Sequence, residues 1–208
     1  MLEIVLVRPG ATDFDEQGRI KGCLDMPMSA NGHQQVDRLA GELSGYSLET
    51  IYCGPCESAR QTATRLAQGR RAKMKTIDCL KNVDHGLWHG KLIAEVRRQL
   101  PRVYRQGQDS PQCLCPPRGE TLEEAADRIK TAIAKILRKH RHGSIAIVVP
   151  EPLASIVAVL LSGGTIQDLW KVETDTGSYE VYQAVESQND AWDARLTLRP
   201  KVCLTPNF

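Results

Sequence analysis

The chain has 208 residues, 41% apolar and 25% charged, with a formal net charge of +2. That length suits one domain over residues 1–208 and lets roughly 70% of the unfolded surface be buried, while the near-neutral balance offers no footprint for nucleic acid. No stretch reaches the roughly 20 apolar residues of a membrane helix, and seven irregularly spaced Cys, with no leader pattern ahead of the first strand, point to reduced thiols in the cytoplasm.

Ile4-Val5-Leu6-Val7 reads as a strand buried on both faces. It stops at Arg8-Pro9-Gly10, where Pro9 has no N–H to give a ladder and Gly10 permits a sharp turn. Ligands of open α/β sheets sit beyond the carboxyl ends of such strands, so Arg8 stands where chemistry is expected. Residues 12–30 form a long loop of the kind that is usually functional. Ser29-Ala30-Asn31-Gly32 starts a helix whose apolar face runs through Val36, Leu39, Ala40 and Leu43. A second strand, Thr50-Ile51-Tyr52-Cys53, precedes a helix over Glu57–Ala67, and Met74–Leu80 reads as an edge strand.

Asn82–Gly90 is expected to be loop anchored by Trp88, Leu92–Leu100 a helix ending before Pro101, and Gly107–Gly119 irregular. Thr121-Leu122-Glu123-Glu124 resembles a capping box opening a long amphipathic helix through Leu137. Ser144–Val149 is the second strongly buried strand, ended by Pro150-Glu151-Pro152 and followed by a helix over Leu153–Leu161. Two late strands are expected near Tyr179–Tyr182 and Arg195–Leu198. The alternation predicts a three-layer α/β/α sandwich on a mostly parallel central sheet.

The motifs fall in an ordered series. Leu6-Val7-Arg8-Pro9-Gly10-Ala11-Thr12 is similar to L-V-R-H-G-x-T, and Gly18-Arg19-Ile20-Lys21-Gly22 with Leu24-Asp25-Met26-Pro27-Met28-Ser29 to G-R-x-Q-G and L-D-x-P-L-[ST]. Gly54-Pro55 through Arg60-Gln61-Thr62-Ala63 is similar to S-P-L-x-R-A-x-Q-T-A, Gly86-Leu87-Trp88-His89-Gly90 to F-G-x-W-E-G, and Pro117-Arg118-Gly119-Glu120-Thr121 to P-x-G-E-S. In this order they make the chain resemble the histidine phosphatase superfamily, the phosphoglycerate mutase-like proteins.

The resemblance implies a mechanism in which a His at the first strand's tip takes the phosphoryl group, two Arg and a second His cradle it, and a Glu protonates the leaving oxygen. Arg8 keeps its place in that set, whereas Pro9 stands at the nucleophile, Ser58 at the second Arg, Asn82 at the acid and Glu151 at the second His. One guanidinium beside one carboxylate gives almost no positive charge for a phosphate dianion. The expectation is therefore a catalytically inactive member that binds a small molecule or a protein without a cofactor. Its pocket is Arg8, Pro9, Gly10, Thr12, Asp15, Ser58, Asn82 and Glu151, and a homodimer is left open. Arg8 and Glu151, on the tips of neighbouring strands, are expected to meet through two parallel hydrogen bonds, with the carboxylate in the phosphate's place.

Other readings were open at this level. Altered chemistry in the same cleft could use Arg8, Glu151, Asn82, Ser58 and Asp15. Cys53-Gly54-Pro55-Cys56, between a strand and a helix, has the context of a thioredoxin-like redox site. Asp84 with His85 and His89, and Cys113-x-Cys115, could supply metal ligands, but Gly86 and Gly90 argue for loop, so no metal is expected. Trp170 and Trp192 read as packing residues.

Overall fold

The opening apolar run becomes β1 (Leu2–Val7), with Ile4, Val5, Leu6 and Val7 fully buried. The structure, a computed structural model, describes residues 1–166, 168–183 and 199–201. Thr12 caps a short helix, α1 (Asp13–Glu16), inside the stretch expected to be loop. Ser29 then caps α2 (Ala30–Glu42), its hydroxyl accepting from the Gly32 N–H at 3.0 Å. β2 (Leu48–Cys53), α3 (Glu57–Ala67) and the short β3 (Lys73–Thr76) follow.

The middle of the chain differs most from expectation. A 3₁₀ turn occupies Gly86–Trp88, and α4 (Ile93–Gln99) is followed directly by α5 (Pro101–Asp109). Pro101 stops one helix and starts the next, because a first-turn residue has no intrahelical N–H bond to lose. Part of the segment read as irregular is thus helical. The capping box at Thr121 and Glu124 opens α6 (Leu122–Lys139), and β4 (Gly143–Val148), α7 (Leu153–Ser162), a short α8 (Leu169–Val172), β5 (Tyr179–Gln183) and β6 (Arg199–Lys201) complete the elements. The strand expected over Arg195–Leu198, and Trp192, lie outside the described residues.

Among the described residues six strands form one sheet in the order β3-β2-β4-β1-β5-β6. β1, β2, β3 and β4 pair in parallel, whereas β5 runs antiparallel to both β1 and β6. Side chains alternate across the pleat. Ile4, Leu6, Ile145 and Ile147 join one core with Ile129 and Ile133 of α6 and Val157 of α7. Val5, Val7, Ala146 and Val148 join a second core with Leu39 of α2 and Ala63 and Leu66 of α3. Two buried faces explain why the central strands are apolar without interruption, and they make the three layers.

This topology sets the site. Val7 pairs with Val148, so the carboxyl ends of β1 and β4 stop side by side. The chain leaving β1 crosses the start of α2 at a glycine pair: a Cβ on Gly10 would stand 2.3 Å from the Gly32 carbonyl oxygen, and one on Gly32 2.1 Å from the Ala11 oxygen. Only residues without a side chain permit that approach.

Candidate active site

Arg8 is buried at the end of β1, with its backbone N–H donating to the Ser178 carbonyl at 2.9 Å. Its Nε donates to Glu151 Oε1 at 2.5 Å and lies 3.1 Å from Asp175 Oδ2, and Nη2 lies 2.7 Å from Glu180 Oε1. Arg8 and Glu151 therefore meet, but not as a two-bond fork: the guanidinium divides its edge among three acids. Burial alone would lower the Arg8 guanidinium, but the carboxylates of Glu151, Glu180 and Asp175 together hold it above its usual range. Glu151 is itself buried, and burial raises its carboxyl against the opposing charge of Arg8. Asp175 and Glu180 are close to half-exposed, so water screens them far more than Glu151.

The other expected pocket residues take structural positions around this pair. Glu151 Oε2 accepts from the Ser155 N–H at 3.1 Å and Oε1 from its hydroxyl at 3.1 Å, fixing the carboxylate on the first turn of α7. Asn82 Nδ2 donates to the Glu151 carbonyl at 2.7 Å and to the Gly22 carbonyl at 3.0 Å. It thus ties the long loop to the strand tip. Pro9 accepts from the Gly177 N–H at 2.7 Å, and the Gly10 N–H donates to Thr62 Oγ1 at 3.3 Å. Thr12 and Asp15 form a capping box, and Asp15 binds the buried Lys21 ammonium at 2.8 Å. Ser58 is buried in α3, with its hydroxyl 3.7 Å from Cys56 Sγ. A cavity of about 520 Å³ opens beside α2 and α3, lined by Met28, Val36, Arg60, Gln61 and Met74; none of Arg8, Asn82, Ser58 or Glu151 lines it.

Asp175, Glu180 and Ser155 were missed by sequence reasoning. A trace of Glu180 was visible as an acid interrupting Tyr179-Glu180-Val181-Tyr182, a strand otherwise suited to burial. Tyr182 donates its hydroxyl to Glu180 Oε2, and burial with that carboxylate beside it raises the phenol.

The thioredoxin-like reading loses its geometry. Cys53, the first Cys of the pair, is the buried one and contacts Thr76 Oγ1 at 3.5 Å, while Cys56 begins α3 beside Ser58. Burial also raises the Cys53 thiol, the opposite of what a thiolate nucleophile needs. The grouping of Asp84 with His85 and His89 is divided as well. His85 is buried and turned to Glu173 Oε1 at 2.5 Å, whereas His89 faces Cys23 Sγ at 3.6 Å and Asp84 Oδ1 at 3.7 Å. Cys23 from the long loop joins Asp84 and His89, with one ligand atom from each all within 4.8 Å of one another.

Residues 4–196 match the family model of the histidine phosphatase superfamily (branch 1). The chain belongs to that superfamily. This histidine phosphatase-family chain is 28% identical over 190 residues to phosphoserine phosphatase 1 of Hydrogenobacter thermophilus, covering 91% of this chain and 90% of that protein. It is 22% identical to the adenosylcobalamin/alpha-ribazole phosphatase of Escherichia coli, covering 86% and 88% of the two chains. The solved structure of Bacillus stearothermophilus YhfR superposes with a TM-score of 0.79 at 22% identity, covering 97% of this chain and 96% of that one. The phosphoglycerate mutase-like fold follows. The expectation of a catalytically inactive binding protein is corrected by these relatives: they are named as phosphatases along nearly the whole of this superfamily member, and the exchanges at Pro9, Ser58, Asn82 and Glu151 do not by themselves show inactivity.

Proposed function

We propose that the chain is a phosphatase acting on a small phosphomonoester, by direct attack of water and without a phosphohistidine. Support comes from the names of its relatives and from one observation, the Arg8 guanidinium held at the carboxyl end of the central strand. A bound phosphoryl group takes the place of Asp175 and Glu180, the two screened carboxylates, on the outer edge of that guanidinium. Pro9 offers no nucleophile, so the attacking oxygen is water. It forms the new P–O bond as the bond to the ester oxygen breaks, Glu151 takes its proton, and the alkoxide leaves with a proton from solvent. Burial raises the Glu151 carboxyl, which makes its carboxylate a stronger base than an exposed one. We also propose a cytoplasmic location, supported by free thiols at all six described cysteines; among the described residues no helix is long and apolar enough to cross a membrane.

The experiment is phosphate release from p-nitrophenyl phosphate and phosphoserine, by the wild-type chain and by Arg8→Ala, in ¹⁸O-labelled water. Turnover should fall on the order of 10²-fold or more in Arg8→Ala. One label should enter each phosphate, and no acid-labile phosphoenzyme should be trapped. Absence of release by the wild-type chain from every monoester tried overturns the reading.

A further inference from the structure

A second group of side chains able to ligate a metal is linked to the candidate active site through Asn82, which bridges the Gly22 and Glu151 carbonyls. Cys23 lies in the long loop, and Asp84 and His89 flank the 3₁₀ turn at Gly86–Trp88. His89 Nε2 is 3.6 Å from Cys23 Sγ and 3.7 Å from Asp84 Oδ1. From these separations we propose that Cys23, Asp84 and His89 form a three-ligand zinc site with a fourth position open to water.

Zinc bonds run about 2.3 Å to sulfur and about 2.0 Å to nitrogen or oxygen, so two ligand atoms across a tetrahedral angle stand roughly 3.3–3.6 Å apart. The thiol–imidazole separation already meets that spacing, and the carboxylate oxygen, which also accepts from the Gly86 N–H at 2.8 Å, lies 3.7 Å from the imidazole and within 4.8 Å of the thiol. The imidazole is presented in the ligating form. Its Nε2 accepts from the backbone N–H groups of His85 at 3.2 Å and Cys23 at 3.4 Å, which assigns the ring proton to Nδ1 and leaves a lone pair on Nε2. A metal would replace those two long contacts.

The backbone is shaped to bring the loop there. Gly22 has φ +51°, and a Cβ on it would stand 2.4 Å from His89 Nε2, so any other residue would push the loop off the imidazole. The Gly22 carbonyl is held by Asn82, whose same amide nitrogen binds the Glu151 carbonyl. The three ligands come from two separate segments, and a thiolate with an imidazole and a carboxylate suits zinc better than magnesium or calcium. Three protein ligands with one open position is the arrangement of catalytic rather than closed structural zinc. The proposal stands apart from the phosphatase reading, because its readout is the metal and not turnover.

The test starts from the full chain stripped with a chelator and kept reduced. Cobalt(II) added to one equivalent should give a thiolate-to-cobalt charge-transfer band that is lost in Cys23→Ser and kept in Cys113→Ser. Competition with a chromophoric chelator should show zinc affinity falling at least about tenfold in His89→Gln and in Asp84→Asn, and zinc should raise the Tm of wild type but not of Cys23→Ser. No band in the wild-type chain, or a band that survives Cys23→Ser, overturns the proposal. Should apo Cys23→Ser melt well below the wild type, His89→Gln decides: unchanged zinc affinity overturns the site, and a tenfold loss supports it.

Discussion

Arg8 carries one positive charge among three acids, and only Glu151 of the three shares its burial. Removing one member of a buried ion pair leaves the other charge stranded in a low dielectric, whereas replacing both with apolar groups of similar volume is often tolerated. Arg8→Ala should therefore cost about 3–5 kcal/mol in urea denaturation at constant slope, even though two further carboxylates lose a partner near the surface. Arg8→Met combined with Glu151→Leu should recover most of that loss while leaving no phosphatase turnover. A single Arg8→Ala variant as stable as wild type would mean that the pair contributes nothing to folding. The adjacency of Arg8 and Glu151 was legible because both residues close parallel strands in register. The half-exposed acids were not, because Glu180 reaches Arg8 from an antiparallel strand whose register no local signal sets, and Asp175 from the segment between α8 and that strand.

Elements were legible where local chemistry and packing agree. β1 and β4 announce themselves by runs of apolar residues that two cores demand, and α6 by a cap that works as its sequence suggests. Thr121 Oγ1 accepts from the Glu124 N–H at 3.1 Å, while Glu124 Oε2 accepts from the Thr121 N–H at 2.7 Å. That backbone hydrogen bond, with one from the Thr121 hydroxyl, lowers the Glu124 carboxyl. A depressed folded pKa means that the stability it supplies is present above the ordinary glutamate value and is lost as pH falls through the folded one. Thr121→Ala should cost about 1 kcal/mol near neutral pH, and the Glu124→Gln deficit should shrink as pH drops below 4.5, the value Glu124 would otherwise have. A deficit that grew in acid would contradict this. α5 was not legible, since Gly107 reads as a breaker. It is there for a tertiary reason: a Cβ would stand 2.4 Å from Trp170 Nε1, and the indole lies stacked at 5.6 Å on Tyr104 of the same helix. Local propensity gives way to an aromatic contact from 63 residues further on.

At the scale of the molecule, the order β3-β2-β4-β1-β5-β6 sets side by side two central strands, β1 and β4, that the greater part of the sequence separates. Among the described residues β1 pairs with β4 and β5 and β2 with β3 and β4, so of these strand pairs the first 142 residues contain β2–β3 alone. Everything else waits for Gly143–Val148 to enter between β1 and β2. A two-stranded sheet without its covering layers is marginal in water, and the loop closed by the β1–β4 pairing is long. The same insertion assembles the candidate site, because Glu151 and Ser155 arrive with the end of β4 and the start of α7. A chain ending at residue 142 should consequently show no cooperative thermal transition and little near-ultraviolet dichroism, although α2, α3 and α6 are all present in it. Adding back residues 143–183 should restore a single transition, because β4 and β5 then flank β1 on both sides. A cooperative transition in the shorter chain would place the folding unit in the helices and β2–β3, and would separate the stability of the scaffold from the strand insertion that builds the site.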